Sequence, residues 1–128
     1  MNILNYRKRL IESQIKKKMS YSGGVIIEGA KWVGKSTTAG IFSNTFIKLQ
    51  DPLIKKQYQI LATISKEEVL KGEKPILFDE WQEVPEIWDF IRLDIDENNH
   101  KGAYLLTGST KKRNIKTSHT GRGRIYLI

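Results

Sequence analysis

The 128-residue chain has no cysteine. Disulfides and thiolate metal sites are therefore excluded, and a reducing, cytoplasmic setting is expected. Histidine is scarce too: His100 and His119 are the only two, and neither has partners at metal-ligand spacing. No apolar run approaches the length of a membrane span, and Arg7, Lys8 and Arg9 interrupt the N-terminus before a signal-peptide core could form. No membrane partner is expected. Proline occurs three times, at Pro52, Pro75 and Pro85, each where an element is expected to begin. Arginine is nearly missing from the middle, Arg92 being the only one between residues 14 and 112.

What is present is charge, unevenly placed. The net charge is +8, yet residues 21–110 carry ten Lys/Arg against thirteen acids, whereas residues 1–20 carry six against one and residues 111–128 six against none. Basic ends of this kind suit nucleic acid, although lysine-rich surfaces are more often merely solvated. Nucleic acid is thus a weakly supported partner.

The pattern of the chain alternates strand and helix. Residues 5–19 read as an amphipathic helix with Tyr6, Leu10, Ile15 and Met19 on its apolar stripe. "VIIE" follows as a short strand apolar enough to be buried on both faces. "KSTTAGIFSN" has helix length, "TFIKLQD" reads as a strand and "LIKKQYQILAT" as a helix. Ser65 and Glu68 have the spacing of a capping box, opening a brief helix that Gly72 ends. "PILFDE" is a third strand. "PEIWDFIRLDIDEN" is a helix with Ile87, Phe90, Ile91, Asp94 and Ile95 near one face, Asp94 being the polar exception. "AYLLTGS" and "RIYLI" complete five strands. The alternation predicts an α/β fold of three layers around a mostly parallel sheet.

Between the first strand and the next helix stands "GAKWVGKST". Gly29, Gly34, Lys35 and Ser36 fit G-x-x-x-x-G-K-[ST], so Gly29, Ala30, Lys31, Trp32, Val33, Gly34, Lys35, Ser36 and Thr37 form a candidate phosphate-binding loop. Glycines let successive N–H groups turn toward phosphate oxygens, and the helix that follows adds its positive end. The lysine would reach the β- and γ-phosphates, and the Ser36 hydroxyl is a hard oxygen ligand for Mg2+.

Such a loop needs an acidic partner on a neighbouring strand, and "ILFDE" supplies it. Asp79 falls at the C-terminal end of a buried strand, where open α/β sheets bind ligands, as the second metal-site residue. Glu80 follows, placed to polarise the water that attacks the γ-phosphate. Thr107 and Ser109, at the end of "LLTGS", are hydroxyls able to contact the γ-phosphate or that water, and the spacing does not choose between them. Arg122 and Arg124 precede the last strand, and either could be presented to the nucleotide of a neighbouring subunit. Trp32, Trp81 and Trp88 read as packing residues.

In that order and at those separations, "GAKWVGKSTTA", "ILFDEWQEVPEIWDFIR", "LLTGS" and "HTGRGRI" resemble the prokaryotic predicted AAA+ superfamily ATPases, whose P-loop core precedes a C-terminal domain of uncharacterised function. "YRKRLIES" is similar to the segment that opens those proteins. The resemblance implies an ATP-binding core over residues 1–128, with an N-terminal helix at 5–19 and a nucleotide-binding part at 23–128. It makes Lys35 and Ser36 the Walker A pair, Asp79 and Glu80 the Walker B pair, the polar end of "LLTGS" sensor 1, and Arg124 the preferred finger. It implies ATP and Mg2+, with a homo-oligomer and an unidentified protein as candidate partners. Family members continue past this point, so a truncated member, incomplete at its C-terminal side, is expected. Two alternatives stay open: a shortened module that binds nucleotide or nucleic acid without hydrolysis, and a small P-loop kinase, against which the scarcity of arginine in the middle of the chain argues.

Overall fold

The computed structural model of the protein describes residues 3–27, 35–108 and 125–127. Its elements run α1 (Ile3–Met19), β1 (Gly24–Ile27), α2 (Lys35–Ile41), β2 (Thr45–Lys48), α3 (Pro52–Ile64), α4 (Lys66–Val69), β3 (Ile76–Asp79), a 3-10 turn (Trp81–Glu83), α5 (Glu86–Asn98), β4 (Tyr104–Thr107) and β5 (Ile125–Leu127). The five strands form one sheet in the order β2-β3-β4-β1-β5. Every pairing is parallel, as the alternation of elements predicts.

Every residue of β1, β3 and β4 is buried. This is why these strands read as unbroken apolar runs: each faces helices on both sides, and alternate side chains feed two separate cores. Val25, Ile27, Leu77 and Leu105 point to one side, where Ile15, Ala39, Ile11, Met19 and Phe42 of α1 and the α2 region pack. Ile26, Ile76, Phe78, Tyr104 and Leu106 point to the other, beneath Val69, Ile87, Trp88, Ile91 and Ile95 of α4 and α5, with Ile54, Tyr58 and Leu61 of α3 alongside. The result is the expected three-layer α/β/α fold. Each large side chain fully buried in these layers is worth about 2 to 5 kcal/mol against truncation to alanine.

Several local expectations are refined. On α1 the buried stripe is Ile11, Ile15 and Met19, whereas Tyr6 and Leu10 are 61% and 49% exposed. The five-residue step from Leu10 to Ile15 turns the helix about 140° away, while steps of four keep one face. β2 is shorter than "TFIKLQD" because Asp51 leaves the strand to cap α3, accepting the Leu53 N–H at 3.0 Å. Ser65 caps α4 by accepting the Glu68 N–H at 3.2 Å. Its own N–H goes to Leu61 O at the end of α3, so the box closes from one side only. Gly72, beyond α4, has φ +143°, a backbone that side chains rarely tolerate.

Asp94 is buried on α5, and its partners explain it. Tyr104 donates its hydroxyl to Asp94 Oδ2 at 2.6 Å, and Asn98 donates its amide to Oδ1 at 2.7 Å. The carboxylate thus pins α5 to the start of β4. Burial, then the bond to Asp94, raises the Tyr104 phenol above its ordinary range.

Candidate nucleotide site

The site is assembled by strand order. β4 lies between β1 and β3, with Ile27 opposite Thr107 and Phe78 opposite Leu106. The C-terminal ends of the three central strands therefore stand side by side. From them emerge, in order, the glycine-rich segment after Ile27, the hydroxyl of Thr107 and the carboxylate of Asp79. Gly108 N–H donates to Ile27 O at 3.2 Å, which carries the β1–β4 ladder to the point where both strands end.

At that edge two side chains converge on one carboxylate oxygen. Ser36 donates to Asp79 Oδ1 at 2.5 Å and Thr107 donates to the same oxygen at 2.6 Å. Ser36 is in the first turn of α2, so the bond fixes the start of that helix above the sheet. Asp79 is only 4% exposed, and a carboxylate that deep requires such donors. Thr107 also accepts the Glu80 backbone N–H at 3.0 Å. Glu80 sits in the left-handed region, φ 58° and ψ 57°, a conformation costing a non-glycine residue about 1 kcal/mol. The turn it begins lets Gln82 donate its amide to Glu80 Oε1 at 2.6 Å.

Asp79, Glu80, Ser36 and Thr107 are thereby brought into one cluster. Thr37 is exposed on α2. Lys35 opens α2, but its side chain lies outside the described residues, as do Gly29, Ala30, Lys31, Trp32, Val33, Gly34, Ser109, Arg122 and Arg124. Of the two hydroxyls at the end of β4, Thr107 is the one seen to bridge the acidic pair. Trp81 and Trp88 pack together, ring centroids 5.2 Å apart, in the core as their reading as packing residues requires. His100 is removed from this edge, its Nε2 3.9 Å from Asp94 Oδ2.

Two participants carry no role in the sequence reading. Gln82 is visible only as part of the "DEWQ" block, because two residues after Glu80 it would point the same way in a strand and elsewhere in a helix. Gly108 appears as ordinary turn chemistry. A Cβ there would meet Gln82 Oε1 and Trp81 Nε1 at 2.8 Å each, so glycine is required by close approach.

Among the described residues no group of three or more His, Cys, Asp or Glu is placed to hold a metal by itself. One buried carboxylate and one hydroxyl on a common edge is a donor set that fits Mg2+, which takes one or two protein oxygens and completes its shell with phosphate and water.

Residues 22–128 match a protein-family model described as an AAA domain. The chain belongs to the AAA domain family. As an AAA domain it is a nucleotide-binding module of the P-loop NTPase type, and the cluster just described lies at the C-terminal ends of its central strands. Comparison with curated proteins gives no match, and neither does comparison with solved structures. No helix among the described residues is long and apolar enough to cross a membrane.

Proposed function

We propose that this AAA domain binds Mg·ATP and hydrolyses it to ADP and phosphate. The observation that carries the reading is the double hold on Asp79 Oδ1 by Ser36 and Thr107. It joins α2, which follows the glycine-rich motif, and the intervening strand β4 each directly to the acidic strand end. Residues 29–37 would cradle the phosphates, Lys35 neutralising the β- and γ-oxygens. Ser36 and Asp79 would hold Mg2+, which when bound neutralises charge on the phosphate oxygens.

Glu80 takes the role of the base. Its backbone is tied to Thr107 and its carboxylate to Gln82, so its position relative to the γ-phosphate is set before substrate arrives. A carboxylate orienting the attacking water, and accepting its proton as the new P–O bond forms, needs such placement. Thr107 then serves as the polar sensor between the acids and the loop. Arg124 is assigned as a finger toward a neighbouring subunit, and the domain is taken to comprise residues 1–128, with α1 as its opening helix. A cysteine-free chain supports a cytoplasmic setting.

The test is titration calorimetry of Mg·ATP into the full chain and its Lys35→Ala variant, followed by phosphate release. Binding by the wild type, lost in the variant, and phosphate release without an acceptor support the reading. A folded wild type that binds no Mg·ATP overturns it, and phosphate transfer requiring an acceptor turns it into a kinase.

A further inference from the structure

The structure assigns Gln82 a role in hydrolysis: we infer that it is a positioning residue that holds the Glu80 carboxylate in its working orientation. This rests on the reading of Glu80 as the base. Gln82 Nε2 donates to Glu80 Oε1 at 2.6 Å across the first residues of the 3-10 turn. The orientation of the amide follows from that contact, because the reverse would set the amide oxygen against a carboxylate oxygen.

The other end of the same amide shows what the arrangement costs. Gln82 Oε1 is buried and has no hydrogen-bond partner among the described residues. A glutamine optimised for stability would turn to satisfy that oxygen, since a buried unpaired acceptor is destabilising. Here the amide instead spends its donor on Glu80, and its oxygen is confined against Gly108. An added Cβ at Gly108 would lie 2.8 Å from Gln82 Oε1 and 2.8 Å from Trp81 Nε1. The indole is locked in the core against Trp88, so the flexible amide is the group that would be displaced.

Glu80 is therefore held at two points, by a strand and by the 3-10 turn. Thr107 of β4 accepts its N–H, fixing the left-handed backbone, and Gln82 fixes the far end of the side chain. One carboxylate oxygen is committed to the amide, which directs the other toward water. Deleting the amide leaves a base of unchanged chemistry but wider rotamer freedom, and rate is lost through orientation.

The experiment measures steady-state hydrolysis and Mg·ATP affinity for the full chain and for Gln82→Met, Gly108→Ala, Glu80→Gln and the double variant Glu80→Gln/Gln82→Met. Methionine preserves the approximate length of the side chain and removes the donor to Glu80 together with the unpaired Oε1 acceptor. Gly108→Ala reaches the same contact from the other side, should Gln82→Met fold poorly, and denaturant midpoints identify a variant that does. The expected result is a kcat lowered about tenfold in Gln82→Met and in Gly108→Ala, with KM and Kd within about twofold, and no further loss when Gln82→Met is added to Glu80→Gln.

A wild-type kcat in a folded Gln82→Met, a rise in KM alone, or an equal additional loss in the Glu80→Gln background overturns the inference while leaving the base intact. Unimpaired turnover by Glu80→Gln, or no hydrolysis by the wild type, overturns the underlying reading and this inference with it.

Discussion

The Thr107 hydroxyl donates to Asp79 Oδ1 at 2.6 Å while accepting the backbone N–H of Glu80 at 3.0 Å. One side chain on β4 thus fixes both acidic residues at the end of β3, and it does so at a fully buried position.

Thr107→Val keeps the shape of the side chain and removes both bonds, leaving Asp79 short of a donor and the Glu80 N–H unpaired. Stability should fall by about 1 to 3 kcal/mol, read from urea unfolding. Hydrolysis should fall at least about tenfold as Glu80 loses its backbone tether. Thr107→Ser, which retains the hydroxyl, should recover most of both.

On the proposed reading, Lys35 of the G-x-x-x-x-G-K-[ST] motif serves phosphate rather than the core. Lys35→Ala should leave the unfolding midpoint near that of the wild type and weaken Mg·ATP binding by about 10- to 100-fold, the scale of a lost charge-assisted bond of roughly 1.5 to 3 kcal/mol. Calorimetry at constant ionic strength measures it.

For Glu80→Gln the expectation is a split between binding and turnover. The amide keeps the size of the carboxylate but cannot take a proton, so affinity should change little while the hydrolysis rate falls by roughly 100- to 10,000-fold. Single-turnover phosphate release separates this from slowed product release.

Tyr104 gives the domain a predictable response to alkali. Its phenol is raised above the ordinary value near 10 by burial and by the bond to Asp94. Because the folded form holds its proton more tightly, this contribution is intact below pH 10 and is lost as the pH climbs above it, where the unfolded chain ionises first. Denaturant midpoints should decline above pH 10, and Tyr104→Phe should flatten that decline. The same variant should cost about 1 to 3 kcal/mol at neutral pH by depriving the buried Asp94 of a donor.

The runs "VII", "ILF" and "YLL" were legible as buried strands, because only a strand covered on both faces is apolar at every position. The position of Asp79 at the end of a buried strand was legible in the same way, and the glycine-rich motif raises its expectation by residue type and fixed spacing alone. Helix faces were less so. Ile15 and Met19 were read correctly, but Leu10 is as apolar as Ile11, and which of the two packs inward depends on where α1 meets β1 and α2.

By itself, then, the sequence determined the order of elements, the two-sided burial of the central strands and the phosphate-loop signature, all of them consequences of local periodicity and residue chemistry. Tertiary structure decided which strand stands beside which. The insertion of β4 between β1 and β3 singles out Thr107 as the bridge to Asp79, gives Asp94 its Tyr104 partner, and presses Gly108 against Gln82 so that its amide meets Glu80. Those relationships join residues on separate elements, and no spacing along the chain encodes them, because the neighbour of a strand is chosen by how the helical crossovers pack and not by the strand itself.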